Sequence, residues 1–217
     1  DDVSLEIQPR EFLALLGPSG CGKSTLLYLM GGFLPIEKGK ITLNGKPITA
    51  PGPDRGIVFQ HFALFPWKTV KQNVLYGLER QNKPREEREK TAQHFIDMVG
   101  LTGFEESYPS QLSGGMKQRT AIARALVTDP RILVLDDALS AVDTHTEEEI
   151  LRRLAGVMRS RTSILVSHRV STVRHADQIL VLDDGRIAER GTHDELVRLG
   201  GLYAALDRHQ RLEEELA

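Results

Sequence analysis

The sequence has little cysteine, no long apolar run and almost no net charge, and each of these absences excludes something. Its 217 residues contain one cysteine, Cys21, so no internal disulfide is possible and a reducing compartment is expected. No apolar stretch approaches the roughly 20 residues that a membrane-spanning helix needs, and we expect no signal peptide in this sequence. The formal net charge of −2 gives no global basic field, so nucleic acid is not an expected partner. Any membrane association is therefore expected to depend on partner proteins or on a segment absent from this chain.

Strand-like and helix-like patterns alternate along the chain, which predicts an α/β fold with a largely parallel sheet. The apolar runs FLALLG, RGIVFQ, RILVLD, TSILVSH and DQILVLDDGRI each predict a strand, and Asn44-Gly45 predicts a hairpin turn. We expect one domain over residues 1–217. Its core and a small antiparallel β-subdomain would occupy 1–69 and 127–217, and an inserted helical subdomain would occupy about 70–126.

The stretch GPSGCGKST matches the phosphate-binding pattern G-x-x-x-x-G-K-[ST] and lies between a predicted strand and a predicted helix. Glycines let successive backbone N–H groups curl around phosphate oxygens, and the helix N-terminus adds the positive end of its dipole. A glycine-rich turn that merely precedes a lysine is the alternative, but the flanking elements favour the phosphate site. The predicted nucleotide-binding residues are Gly17, Pro18, Ser19, Gly20, Cys21, Gly22, Lys23, Ser24 and Thr25.

Two adjacent aspartates end the apolar run ILVLDD. Asp136 could hold the shell of a Mg²⁺ ion opposite the hydroxyl of Ser24, while Lys23 reaches the β- and γ-phosphates of a nucleoside triphosphate. Taken alone, Asp136 could equally be a strand-end residue that caps a turn. Combined with the phosphate loop, it predicts that a nucleoside triphosphate and Mg²⁺ bind here.

The string LSGGMKQR (Leu112–Arg119) is more specific than a phosphate loop, and it resembles the signature of the ATP-binding cassette (ABC) family. The other motifs of that family follow in order. Gln60 matches the Q-loop, SAVD (Ser140–Asp143) matches the D-loop, and His168 in VSHR matches the switch histidine. Taken singly, Gln60 would be an ordinary strand-end glutamine and His168 a buried, hydrogen-bonded histidine. The resemblance covers nearly the whole chain and implies a P-loop NTPase core.

The resemblance also implies how two such chains bind ATP. Two cassettes would face each other head to tail, with each ATP between one phosphate loop and the partner's signature. Ser113, Gly114 and Gly115 would offer a hydroxyl and N–H groups to the γ-phosphate held by the partner, and Asp143 would cross the interface.

Three further roles follow from the same resemblance. His168 would contact the γ-phosphate within its own cassette, and Gln60 would sense Mg²⁺ and the attacking water. Asp137 stands where the family has a glutamate that activates water. Because aspartate is one methylene shorter, we expect slow hydrolysis, and a non-hydrolysing cassette of a heterodimer is the alternative.

The two halves of the chain resemble different members of the family. The first half is similar to the ATPases of importers for nitrate, sulfonate or taurine in the stretches PGPDRGIVFQHFALFPWKTVKQNV and YPSQLSGGMKQR. The second half is similar to exporter cassettes in the stretches LDDALSAVDTHTEEEIL, SILVSHRVSTVRHADQILVLDDGRIAERGTHDEL and GGLYAAL. A natural mosaic, an engineered chimera and a reconstructed ancestor are the alternatives. The resemblance implies a transport ATPase on the cytoplasmic face of the cell membrane, with a second cassette and membrane-spanning permease subunits as partners; a non-transport ABC ATPase is the alternative function.

An apolar cluster in HFALFPW predicts a contact surface for such a permease. Phe62, Leu64, Phe65 and Trp67 are large enough together to receive a short cytoplasmic helix. The alternative is that these side chains fill the core of the helical subdomain.

Overall fold

The computed structural model describes residues 3–79, 81, 83–138 and 144–216, with 144–148 and 214–216 described through their backbone alone. The chain divides into two compact units, Asp1–Gly52 with Arg159–Ala217 and, separately, Pro53–Met158. The strands are β1 (Phe12–Leu16), β2 (Thr42–Leu43), β3 (Lys46–Pro47), β4 (Arg55–Val58), β5 (Ile132–Asp136), β6 (Thr162–Val166), β7 (Gln178–Asp183) and β8 (Arg186–Gly191). The helices are α1 (Lys23–Gly31), α2 (Val70–Leu78), α3 (Arg85–Met98), α4 (Gly114–Leu126), α5 (Thr144–Arg159), α6 (Val170–Val173), α7 (His193–Leu199) and α8 (Leu202–Leu216), with a 3₁₀ turn at Pro109–Gln111.

The sheet of the first unit has the strand order β6-β1-β7-β8. β1 pairs in parallel with β6 on one side and β7 on the other, so that Leu13 faces Ile164 and Gln178. β8 runs antiparallel to β7. The side chains of β1 after Phe12 are buried, as expected for a central parallel strand covered on both faces, and this explains why its sequence is an uninterrupted apolar run.

Two hairpins in the first unit depend on residues that tolerate positive φ. Asn44 and Gly45 have φ of 49° and 76° and join the antiparallel strands β2 and β3, which confirms the predicted turn. The run DQILVLDDGRI was expected to form one strand, and that expectation is wrong. Asp184 and Gly185, with φ of 43° and 73°, turn the chain between β7 and β8, so an Asp-Gly signal inside an apolar run marked a second hairpin.

The second unit contains β4 and β5, which pair in parallel, together with four helices among its described residues. β4 ends at Val58, two residues earlier than the pattern RGIVFQ suggested. Helix α2 begins with a capping box, in which the Thr69 hydroxyl accepts from the Gln72 N–H and the Gln72 side chain accepts from the Thr69 N–H. Helices α2, α3 and α4 lie in the stretch for which helical structure was expected.

The predicted fold class is confirmed: the chain is α/β, its main-sheet strands are mostly parallel, and a small antiparallel sheet lies near the N-terminus. The division into a core and an inserted helical subdomain stays a prediction. Within the part of the chain that the structure describes, no helix is long and apolar enough to cross a membrane.

Candidate functional site

Glycines shape the loop that follows β1. Gly17, Gly20 and Gly22 have φ of 152°, 82° and 102°, a backbone region that other residues rarely adopt. At Gly17 the constraint is also one of space, because a Cβ there would collide with the carbonyl oxygen of Leu182 in β7. The loop can therefore pass close to the end of β7 only with glycine at this position.

The loop ends at the N-terminus of α1, where no side chain forms a capping hydrogen bond. The first turn of a helix carries N–H groups that have no acceptor within the helix, and the helix dipole places positive potential there. Lys23, the first residue of α1, is only 5% exposed, and its ammonium group donates to the carbonyls of Gly17 (2.8 Å) and Pro18 (2.7 Å). A buried ammonium group beside an uncapped helix N-terminus suits an anion such as phosphate.

Cys21 helps to hold this loop in place. Its side chain is buried, and its sulfur accepts a weak hydrogen bond from Lys23 Nζ at 3.6 Å. Its carbonyl accepts from the N–H of Gly185 at 3.1 Å, which ties the loop to the turn between β7 and β8. This small buried side chain therefore serves packing.

His168 lies at the same edge of the first unit's sheet as the phosphate loop. β1 and β6 are parallel, with Leu15 beside Val166, and the Ser167 N–H donates to the Leu15 carbonyl at 3.2 Å. Both strands end at this edge, so the loop that follows β1 and His168, which follows β6, lie at neighbouring strand ends. The His168 side chain is exposed to solvent.

The second unit places Gln60 and the two aspartates in a comparable way. β4 and β5 are parallel, with Val58 beside Leu135, so the residues that follow them meet at one edge. Asp136 ends β5 and is 2% exposed, whereas Gln60 is exposed in the loop after β4. A buried carboxylate at a strand end is the arrangement expected of a residue that supports a metal ion.

Asp137 has an uncommon backbone conformation. Its φ of 47° lies in the left-handed region, which aspartate and asparagine enter more readily than other non-glycine residues. Its carbonyl accepts a 3.5 Å hydrogen bond from the side-chain amide of Gln118, a buried residue of α4. The helix that carries the signature is thereby linked to the residue proposed to activate water.

Ser113 caps the N-terminus of α4. Its hydroxyl accepts from the Met116 N–H at 3.3 Å, and Gly114 and Gly115 form the first turn. Leu112 is buried beneath them, whereas Ser113 and Gly114 are exposed. This is a second helix N-terminus at which backbone N–H groups can meet an anion.

The residues expected to hold Mg²⁺ supply the type of donor that this ion prefers. Ser24, Gln60 and Asp136 offer a hydroxyl, an amide and a carboxylate oxygen, and Mg²⁺ in nucleotide sites takes few protein ligands besides phosphate oxygens and water. Among the described residues, no three His, Cys, Asp or Glu side chains cluster to hold a metal ion.

The structure thus brings together the loop Gly17–Thr25 and His168 in the first unit, and Gln60, Asp136 and Asp137 in the second. The stretch Ser140–Asp143, which contains the predicted interface residue Asp143, lies outside the described residues. The roles of all these residues toward ATP stay predictions. Sequence reasoning missed the contacts of Gln118, although it stands inside the signature string, and those of Gln210, for which the sequence carries no signal.

A family model described as ABC transporter matches residues 1–140 of the chain. An uncharacterized ABC transporter ATP-binding protein of Methanocaldococcus jannaschii is 45% identical over 87% of this chain and 73% of its own length. The nitrate import ATP-binding protein NrtD of Synechocystis sp. is 45% identical over 83% of this chain and 69% of its own length.

Solved structures of similar sequence share the fold. The dimeric structure of a bacterial ABC transporter cassette has a TM-score of 0.83 and 32% identity, and the match covers 88% of this chain and 89% of that one. A bacterial Atm1-family ABC exporter with ATP bound has a TM-score of 0.82 and 39% identity, and the match covers 96% of this chain but 38% of the exporter chain.

Proposed function

The chain belongs to the ABC transporter family, and from this premise we propose that it is an ATP-hydrolysing cassette that powers transport by closing on a second cassette around ATP. The observation that supports this most directly is the pair of helix N-termini, one in each unit. The phosphate loop with Lys23 leads into α1, and Ser113 with two glycines leads into α4. One chain therefore offers both the cradle for its own nucleotide and a second anion-binding surface for a partner's nucleotide.

Each residue of the cradle has a separate task in this proposal. The loop N–H groups and Lys23 bind the phosphate oxygens and orient the γ-phosphate. Ser24, Asp136 and Gln60 would hold Mg²⁺, which when bound neutralises charge on the β- and γ-phosphate oxygens. His168 would donate to the γ-phosphate, and Asp143 would contact the second cassette.

Asp137 would receive the proton of the attacking water. The oxygen of that water forms a bond to the γ-phosphorus while the bond to the β–γ bridging oxygen breaks, giving ADP and phosphate. A base must come within about 2.6–3.2 Å of the water, and a carboxylate one methylene shorter falls short of the glutamate position. Misplacement by about 1 Å can reduce a rate by a factor on the order of 100. We therefore propose slow hydrolysis, and the same residue supports a second reading, the weaker cassette of a heterodimer.

The loop between β4 and α2 is where we propose that a permease docks. Trp67 is 70% exposed, and Phe104 and Tyr108 are also exposed. Phe104 and Tyr108 lie in a segment that is hydrogen-bonded to the start of α2. The Val70 N–H donates to the carbonyl at position 107, and the Lys71 N–H donates to the carbonyl at position 105, each at 2.9 Å. Exposed aromatic side chains on a firmly held backbone favour a contact with another protein.

Not every member of the predicted apolar cluster supports this docking surface. Phe62, Leu64 and Phe65 are half-buried, and the Phe65 ring packs 4.6 Å from that of Tyr76. Only Trp67 of the four is exposed. Cross-links from residue 67 in the assembled transporter should reach the permease, and cross-links to the permease from other surfaces alone would refute the docking proposal.

A mixing experiment tests the shared site. Lys23→Ala removes the charge from the phosphate cradle but leaves the signature intact. Gly114→Asp places a negative charge where a partner's γ-phosphate would bind, while an acidic residue in the first turn of a helix is favourable for the fold. Each variant alone should release phosphate far more slowly than the wild-type chain.

A mixed dimer of the two variants contains one site with an intact cradle and an intact signature. The mixture should therefore regain a substantial part of the wild-type rate, and the rate should depend on the ratio of the two chains. A mixture that is as inactive as its components would show that the signature of one chain does not act on the nucleotide of another.

A further inference from the structure

The backbone that carries His168 is clamped by one side chain of the C-terminal helix. The side-chain amide of Gln210 in α8 donates to the His168 carbonyl at 2.6 Å and accepts from the Val170 N–H at 2.7 Å. Between these two contacts the Arg169 N–H donates to the Ser167 hydroxyl at 3.0 Å. One backbone polar group at each of the positions 168, 169 and 170 is therefore fixed by a side chain, although the His168 ring itself is exposed.

This clamp requires an amide side chain. Only asparagine and glutamine carry both an N–H donor and a carbonyl acceptor on one planar group, so one residue can satisfy a carbonyl and an N–H two positions apart. A carboxylate could accept from Val170 but could not donate to His168 unless it were protonated.

Helix α8 is itself anchored at its N-terminus, eight residues before Gln210. The Glu189 carboxylate in β8 accepts from the N–H groups of Leu202 and Tyr203, and a side chain at Gly201 would collide with that carboxylate. Tyr203 is fully buried, and its hydroxyl lies 2.7 Å from His193 Nδ1. Burial raises the pKa of Tyr203, and the nearby Asp207 adds to this, so the hydroxyl stays protonated as a hydrogen-bonding group.

We propose that Gln210 is a positioning residue for ATP hydrolysis, which sets the direction of the His168 side chain by fixing the backbone on both sides of Arg169. The inference depends on the role proposed above for His168, because Gln210 acts only through it. The C-terminal helix then belongs to the hydrolytic machinery, and its anchoring on β8 determines how the switch histidine meets the γ-phosphate.

Gln210→Leu tests this in the full chain, since leucine has a similar size but neither donates nor accepts. The expected result is a fall in kcat of about tenfold with an unchanged KM, because ATP binding rests on the phosphate loop whereas His168 acts on the reacting phosphate. Arg208→Leu is the matched control, as it changes an exposed position of the same helix and should keep the wild-type kcat.

The decisive comparison repeats Gln210→Leu in a His168→Ala chain. If Gln210 acts through His168, it should lower kcat no further in that background, because the two residues form one unit. A purely structural residue would lower kcat by the same factor in both backgrounds. Hydrogen exchange gives a second readout without catalysis: the Val170 amide should exchange faster in Gln210→Leu than in Arg208→Leu.

The results distinguish a failure of the role proposed for Gln210 from a failure of the role proposed for His168. A Gln210→Leu chain with wild-type kcat beside an impaired His168→Ala chain overturns the inference alone, as does an equal effect in both backgrounds. A His168→Ala chain that hydrolyses ATP as fast as the wild type overturns the proposed role of His168, and with it the role of Gln210.

Discussion

At the scale of single residues, we propose that two side chains divide the work between ATP binding and ATP hydrolysis. Lys23 is buried at the start of α1, directly after the phosphate loop, whereas Asp137 follows the last residue of β5 and has a left-handed backbone conformation. The first should govern whether ATP binds, and the second how fast bound ATP is hydrolysed. Their effects can therefore be separated by experiment.

Lys23→Ala should weaken ATP binding by about tenfold or more, because the variant loses at least one hydrogen bond between a charged donor and a phosphate oxygen. Calorimetric titration with ATP measures this directly. The control is Lys40→Ala, which removes the same charge from an exposed position of the same unit and should bind ATP like the wild type. Equal affinity in all three chains would disprove the assignment of the phosphate loop.

Asp137→Glu should raise kcat, because the longer side chain brings its carboxylate to the attacking water, while ATP affinity stays the same. The left-handed backbone at this position accepts glutamate less readily than aspartate, so the variant should also lose up to about 1 kcal/mol of unfolding free energy. Asp137→Asn should keep ATP binding and lose the residual turnover.

The two kinetic results must agree for Asp137 to be the base. If Asp137→Glu and Asp137→Asn both hydrolyse ATP at the wild-type rate, the proton goes elsewhere and the explanation of slow turnover is wrong.

At the scale of secondary-structure elements, the sequence predicts elements with strong periodic or turn signals and misses contacts between distant side chains. The buried strand β1, the Asn44-Gly45 hairpin and the helix that follows the phosphate loop could all be predicted, because each is encoded by neighbouring residues. The end of β4 was not, since an apolar run by itself does not mark where a strand stops. The hairpin at Asp184-Gly185 was missed although Asp-Gly is a turn signal, because the apolar run around it favoured a single strand.

Contacts across the sequence were beyond prediction from a single chain. Gln118 reaches the carbonyl of Asp137 from 19 positions away, and Gln210 reaches His168 from 42 positions away. A glutamine on a helix shows no local pattern that distinguishes a solvent-exposed side chain from one that bonds a distant backbone. Such residues are found only when the fold brings their partners next to them.

Asn73 holds the loop that carries Trp67. Asn73 is fully buried. Its side-chain amide donates to the carbonyls of Phe65, Lys68 and Thr69 at 3.2, 3.0 and 3.0 Å. Its side-chain oxygen accepts from the Phe65 N–H at 2.9 Å. Asn73→Ala leaves these backbone groups without their partner and should lower the free energy of unfolding by about 2–4 kcal/mol.

Chemical denaturation measures the stability loss, and the fluorescence anisotropy of the single tryptophan reports the loop itself. Anisotropy should fall in Asn73→Ala as the loop loosens. Glu79→Ala, at the exposed C-terminus of the same helix, should change neither quantity. Wild-type stability in Asn73→Ala would contradict the role of Asn73 in holding this loop.

At the scale of the whole molecule, the chain is similar both to a protein named as an importer ATPase and to one named as an exporter. It is 45% identical to a nitrate import ATP-binding protein and 39% identical, over 96% of its own length, to a part of an Atm1-family exporter chain. Both comparisons concern the cassette that is common to the family. The likeness of the two halves to different members of the family stays a prediction, whereas the family itself is shown by the match over residues 1–140.

We propose that ATP closes two cassettes around it, and the strongest test is light scattering on the Asp137→Asn chain with and without saturating Mg²⁺-ATP. Because hydrolysis is suppressed in this variant, ATP should stay bound. The measured mass should therefore shift from the mass of one chain toward that of two chains when ATP is added. The same titration with Lys23→Ala should leave the mass at the monomer value. An Asp137→Asn chain that binds ATP yet remains monomeric would contradict the account.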